Sequence, residues 1–330
     1  MSGLRRSLVI VAGLLISGAA LWFVLQSIDV SEAVAVIGRA DPAYLLAILG
    51  VVAIQAVIRA WRWSLLIPPS ADGSRPSTLR LLPPMLVGYL GNAVLPARLG
   101  EPMRAVIASR REGIGTTEAL GSVLVERLVD IAMLAIFGFV AALLVGGPAW
   151  ILQVLGIAAA GGAVGMLVLL TVGLDPLLRL ADRLGLGRRP AVRDLTARFV
   201  ATLGGKARRG PLLAAAGISI VAWILDAGSF WLAARAVGVD LAYLAAAVVD
   251  GISVLGTAVP SAPGYVGTFE LAASGTAGAL GVPGAQALAL AVIVHVVTLV
   301  PLAVGGAVSL ATIGASLGEV AHAAEAAGGK

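Results

Sequence analysis

Cysteine is absent from this 330-residue sequence, and histidine occurs only at His295 and His322. Disulfide frameworks, thiol nucleophiles and Cys/His metal centres are therefore excluded. Charge is scarce: 12% of residues are Asp, Glu, Lys or Arg, against about 25% in soluble domains. Only Lys206 and Lys330 among the 23 basic residues are lysine, and Ala and Gly abound, a pattern of high-GC bacterial coding bias. Enzyme signatures are missing too. Gly204-Gly205-Lys206 is followed by Ala207 and lacks the Walker A spacing, and no HExxH, GxSxG or dinucleotide fingerprint occurs. The expectation is a non-enzyme with no catalytic residue, metal or cofactor, and no nucleic-acid partner.

What is present is apolar. Hydrophobic residues make up 59% of the chain and its mean hydropathy is +1.00, so lipid is the solvent for most of it. Apolar runs cover 8–25, 44–67, 79–95, 119–145, 151–174, 212–237, 241–259, 269–280 and 285–313. The first follows Arg5 and Arg6 and carries Trp22 and Phe23 at its far end without a small-x-small cleavage site, which predicts an uncleaved helix rather than a signal peptide. Crossing a hydrocarbon core of about 30 Å takes about 20 helical residues, so 79–95 and the pair flanking 260–267 are too short or too broken to be plain spans.

Arginine placement orients the chain. The connector 174–210 holds nine basic residues against Asp175, Asp182 and Asp194, and is assigned to the cytoplasm as an amphipathic segment able to lie on the anionic inner leaflet. The 29–41 loop has three acids and only Arg39, and faces out. Arg75 and Arg80 precede the 79–95 run, and Arg98, Arg104, Arg110 and Arg111 follow it, so that run is expected to dip in and return. The same logic makes 241–280 a hairpin entering from outside. The predicted fold is an all-α polytopic membrane protein of about six full spans and two re-entrant hairpins. It forms one domain with a first half at about 1–147, a second at about 148–313 and a short polar tail at 314–330. Both termini are predicted cytoplasmic, in a bacterial inner membrane. The order span, span, hairpin, span occurs twice from opposite sides, the layout of an inverted repeat. Each hairpin turns at Pro and Gly and ends on Glu101 or Glu270, and 25 residues beyond each Glu stands Glu126 or His295.

Charges inside spans cost about 2.5–3.5 kcal/mol on insertion scales and face protein or a wet cavity. Glu126, Arg127 and Asp130 sit within five residues, with Arg127 able to reach Asp130 at i+3. They form either a self-neutralised structural cluster or, with Asn92, Arg98, Glu101 and Arg104, a polar vestibule. Arg59 and Arg62 either snorkel to lipid phosphates or line that vestibule. Asp226 lacks a charged neighbour within a turn, so its partner must come from another helix. His295 is either a hydrogen-bonded packing residue or a proton carrier. Pro83, Pro84, Gly88 and Gly91, and Pro260, Pro263, Gly264 and Gly267, are read as helix breaks whose free amides offer anion sites. Gly161 and Gly165 are read as small-residue helix packing.

Three stretches together resemble a known family: Gly91-Asn92 through Pro96, Arg98, Gly100, Glu101 and Arg104; Glu126-Arg127-Leu-Val-Asp130; and Pro260 through Pro263, Gly264, Gly267 and Glu270. In this order they are similar to the lysylphosphatidylglycerol synthase transmembrane-region family, also called flippase-like. The resemblance implies a membrane fold and a lipid-linked function, with membrane lipids as partners. In bifunctional members a cytosolic aminoacyl transferase follows, so a separate lipid-modifying transferase is an expected partner here. A flippase-like transporter of a phospholipid or lipid-linked headgroup is the leading expectation; the alternative is a membrane-embedded enzyme, or enzyme subunit, of cell-envelope synthesis.

Overall fold

In the computed structural model of the protein the described residues are 3–70, 72–96, 98–171 and 209–328; the basic connector at 174–210 lies almost wholly outside them. Among the described residues there are twelve α-helices and no strand. They are α1 (Gly3–Ser27), α2 (Val30–Gly38), α3 (Pro42–Leu66), α4 (Thr78–Val94), α5 (Gly100–Glu112), α6 (Thr116–Val145), α7 (Ala149–Thr171), α8 (Arg209–Ala236), α9 (Tyr243–Gly256), α10 (Thr268–Ala279), α11 (Gly284–Ile313) and α12 (Leu317–Gly328). A 3-10 turn at Pro263–Tyr265 lies between α9 and α10.

Five helices, α3, α6, α7, α8 and α11, are long and apolar enough to cross a membrane. A sixth candidate is α1 carried on, after an 87° bend, by α2. The chain is a multi-pass membrane protein. Its outer surface is what lipid requires: Leu15, Leu46, Leu144 and Ile157 are each more than two-thirds exposed, which in water would be an aggregation surface.

Local chemistry sets the helix starts. Asp29 accepts the Ser31 and Glu32 amides at the head of α2, Asp41 accepts that of Ala43 beside Pro42, and Ser77 accepts that of Arg80. The acidic 29–41 stretch, expected as a loop, therefore contains a helix, because Asp29 supplies a cap for the apolar residues after it. The polar tail likewise contains α12, whose Val320 and Ala324 bury against Val106 and Ile107 of α5.

The two pairs of short helices lie at the centre. α4 and α5 run antiparallel: Gly88 faces Arg104, Gly91 faces Gly100 and Met103, and Arg80 Nε meets Glu112 Oε2 at 3.3 Å where the pair opens. A Cβ on Gly100 would stand 1.9 Å from the Gly88 carbonyl oxygen, so only glycine allows this approach. Pro83 and Pro84, expected to break a helix, lie inside α4 instead. The two amides they lack would have bonded carbonyls at its exposed start, where Leu79 and Arg80 reach the surface, so the helix persists. The real break is Leu95–Leu99. α9 and α10 pack together in the same way, with Gly256 against Ala272.

Around these pairs α3 packs along α8, α6 along α7, α4 against α11 and α9 against α6. Gly161 and Gly165 do not serve the packing expected of them. No described atom lies within 4 Å of a Cβ on either, whereas one on Gly162 would meet Ala132 of α6 at 2.6 Å.

Candidate functional site

The inner faces of α3, α6 and α8 carry a network of charge, and Arg62 is its hub. Arg62 is 1% exposed. Its Nη2 donates to Glu126 Oε1 at 2.6 Å and its Nη1 to Asp130 and, at 2.9 Å, to Ser219 Oγ. Glu126 is also ion-paired with Arg104 at 2.9 Å. Asp130 lies 3.4 Å from Arg59 and 3.5 Å from Arg127. Arg59 spans to Asp226 at 3.2 Å, where Gln55 Nε2 donates to the other carboxylate oxygen at 3.1 Å. Arg127 Nε pairs with Glu101 at 2.9 Å, and Arg98 stands 4.0 Å from the same carboxylate.

Each charge costs several kcal/mol to take from water, and is held only because an opposite charge and hydrogen-bond partners meet it. Arg59 and Arg62 thus turn inward rather than toward lipid phosphates. Asp226 finds its partner on another helix, and Arg127 reaches Asp130 at i+3. Aromatic faces complete the lining: Arg59 lies 4.7 Å over Trp223, Arg104 4.8 Å over Trp63 and Arg98 5.3 Å over Tyr265. Trp223 Nε1 donates to the Asp130 carbonyl at 3.1 Å.

A second polar centre ties the α9–α10 turn to α11. His295 Nδ1 hydrogen-bonds Glu270 Oε1, while Nε2 meets the Gly264 carbonyl at 2.7 Å. A carbonyl only accepts, so Nε2 carries a hydrogen. Nδ1 then faces a carboxylate oxygen, and one further proton must lie between them. Glu270 Oε2 accepts the Gly267 amide at 2.7 Å, so that amide is occupied and offers no anion site. Gly267 has φ +88 and faces α1, where a Cβ would stand 2.5 Å from the Ser17 carbonyl oxygen; one on Gly264 would stand 3.4 Å from that of Ala93. Of the residues expected on the lipid path in this turn, Pro263 borders one of the adjoining cavities.

Several cavities adjoin these centres, three of them large. One of about 220 Å³ is bordered by Gln55, Arg59, Arg127, Asp226, Asp250 and His295, among aromatic and aliphatic neighbours. A second, about 190 Å³, shares Arg127, Thr257 and Tyr265 with it and adds Asn92, Arg98, Glu101 and Asp130. The third, also about 190 Å³, lies between the turns of the two short-helix pairs, against Asn92, Arg98, Thr257, Ser261 and Pro263. Asn92 Oδ1 accepts the Gly100 amide at 3.0 Å, and Arg98 Nη2 donates to the Thr257 carbonyl and hydroxyl at 2.5 and 3.0 Å. Arg98 and Tyr265, one in each turn, both adopt positive φ, 54° and 61°.

Gln55, Ser219, Trp223, Asp250, Thr257 and Tyr265 were absent from the expected site. Asp250 carried a readable signal: it is a lone carboxylate in the apolar run 241–259, the criterion that picked out Asp226. Among the described residues no group of three His, Asp or Glu side chains could hold a metal ion.

Membrane-crossing helices around a buried, neutralised charge network, with two pairs of short helices meeting at adjoining cavities, define the class: a polytopic helical membrane protein with an internal polar site. Residues 10–306 match the family described as Lysylphosphatidylglycerol synthase TM region, and the chain belongs to that family. It is also similar to Glycosyltransferase AglD of Haloferax volcanii, 29% identical over 352 residues that cover 95% of this chain and 56% of that protein. The chain thus spans little more than half the length of this curated relative.

Proposed function

We propose that the protein is a flippase-like carrier that moves the polar headgroup of a phospholipid or lipid-linked precursor across the bacterial inner membrane. The observation that carries this reading is the set of adjoining cavities reached by Arg59, Arg98 and Arg127, at the junction of α4–α5 and α9–α10. Arginines there suit a headgroup phosphate, and the lipid tails can remain outside against the apolar helix faces. In this reading α4–α5 and α9–α10 are re-entrant hairpins of two inverted halves. Three pairings support that: α3 packs on α8, α4 on α11 as α9 does on α6, and Glu101–Arg127 matches Glu270–His295. A family named for lysylphosphatidylglycerol synthesis and a relative named for glycosyl transfer both suit a domain that presents a lipid headgroup to a separate transferase, the partner expected for this chain.

The second reading is a membrane-embedded enzyme or enzyme subunit acting on a lipid-linked substrate. It is favoured by the Glu270–His295 pair, an acid–base couple beside the 220 Å³ cavity. Purified protein in proteoliposomes, given headgroup-labelled phospholipids and polyprenyl phosphates, separates the two. Carrier action predicts that label becomes accessible on the opposite face with its chemistry unchanged. If no lipid of the panel crosses and one is chemically altered, the carrier reading is wrong and the enzyme reading replaces it.

A further inference from the structure

Resting on that carrier reading, we infer that Asp250 is a proton-binding site through which headgroup movement is coupled to proton movement. Asp250 sits on α9 with no exposed surface, and neither of its carboxyl oxygens has a hydrogen-bond partner, yet it borders the 220 Å³ cavity. Every other carboxylate of the site is engaged: Glu101, Glu126, Asp130 and Asp226 with arginines and Glu270 with His295. A carboxylate without donor or counter-ion in such a place costs several kcal/mol, and the neutral acid costs far less.

The surroundings reinforce this. Asp226 on α8 and Asp130 on α6 act on Asp250 as like charges, and Arg59 on α3 is the cation whose field reaches it. Arg59 is itself held between Asp130 and Asp226. Across the cavity stand Arg127 of α6 and His295 of α11, the first held by Glu101 and the second by Glu270. α7, which also packs on α9, contributes no charged residue, and on α9 itself only Tyr243 faces Asp250 electrostatically.

The sign of the coupling follows from charge. An anionic headgroup drawn to Arg59 and Arg127 adds negative charge beside Asp250 and loosens Asp226 from Arg59, so headgroup and proton favour each other's binding. When the cavity opens to the opposite face, water hydrates the carboxyl, the O–H bond breaks to water, and headgroup and proton leave together. The cycle is co-transport of one proton with one anionic lipid. At that ratio a gradient of one pH unit sustains about a tenfold leaflet asymmetry.

Two measurements on the full chain test this. Infrared spectra in lipid nanodiscs at neutral pH should contain the C=O stretch of a buried carboxylic acid that disappears in Asp250→Asn; identical spectra overturn the proton site. In proteoliposomes, a fluorescent phosphatidylglycerol should accumulate on the alkaline side about tenfold per pH unit. Asp250→Asn should abolish that asymmetry and Asp250→Glu should keep part of it. Asymmetry that persists in Asp250→Asn, that follows a sodium gradient instead, or that is missing from a wild type still moving the lipid overturns the coupling. Should Asp250→Asn fail to fold, the wild-type response to the gradient and Asp250→Glu decide. A wild type that moves no lipid at all refutes the carrier reading and with it the coupling, and the infrared band still decides the proton site by itself.

Discussion

Replacing Arg62 by methionine tests whether the charge network is held by its hub. The change keeps the bulk of the stem and removes the group that meets Glu126, Asp130 and Ser219 at once. Breaking a buried ion pair by deleting one partner costs about 3–5 kcal/mol. The lower end applies, because Glu126 keeps Arg104 at 2.9 Å and Asp130 keeps Arg59 and Arg127 at 3.4 and 3.5 Å. About 3 kcal/mol is about a 150-fold loss in the folded-to-unfolded ratio. At about 2 °C per kcal/mol for a large domain it lowers Tm by about 6 °C. The comparison is Arg127→Met, whose side chain is 28% exposed and whose partners Glu101 and Asp130 keep Arg98 at 4.0 Å and Arg62 and Arg59 respectively; its loss should be smaller than that of Arg62→Met. Melting of purified protein in detergent, followed by intrinsic tryptophan fluorescence, reads both. Adding Asp130→Asn to Arg62→Met should recover part of the loss, since Arg59 and Arg127 retain Asp226 and Glu101. The reasoning is refuted if Arg62→Met melts within 2 °C of wild type, or if Arg127→Met melts below it.

Further outcomes follow from the two turns and the opening of the α4–α5 pair. Single cysteines at Ser77 and Arg111, both exposed, should label from the same face of the membrane and one at Ser31 from the other; labelling of Ser77 and Arg111 from opposite faces removes the re-entrant hairpin. Gly267→Ala, whose Cβ would lie 2.5 Å from the Ser17 carbonyl oxygen, should sharply reduce protein in the membrane, and normal abundance on a blot would contradict the close fit to α1. Arg98→Ala removes the two Thr257 contacts, the stack on Tyr265 and the 4.0 Å approach to Glu101, while Glu101 keeps Arg127, so Tm should move by less than about 3 °C while lipid movement changes severalfold; a larger Tm loss with normal movement would make Arg98 a structural clamp.

Much of the fold is legible from hydropathy because lipid forces a span to be continuously apolar, and the six runs expected to cross correspond to α1, α3, α6, α7, α8 and α11. Arginines at both ends of 79–95 are enough to suggest a turning pair, since charge is costly to carry across. The second limb of that pair, α5, is not apolar and so leaves no hydropathy signal; its helix depends on Gly88, Gly91 and Gly100 letting α4 approach. The site is legible residue by residue and not in its wiring. Asp226 announces a need for a partner, but that Arg59 meets it, or that Arg62 rather than Arg127 is the centre, is decided by the rotation of α3 against α8, which one sequence does not encode locally. Pro83 and Pro84 mislead for the opposite reason. Their local rule is strong, yet at the exposed start of a helix the carbonyls they leave without an amide lie near the surface.

The facing turns hold Arg98 and Tyr265 at φ values of 54° and 61°, where a side chain costs about 1–2 kcal/mol. Glycine at 98 would relieve that strain but surrender the Thr257 contacts and the stacked pair, and glycine at 265 would also strip away a ring that packs against the core. Each turn therefore keeps its left-handed backbone only because the other turn is there to meet its side chain, and a change that truncates one of the two should free the opposite turn to relax.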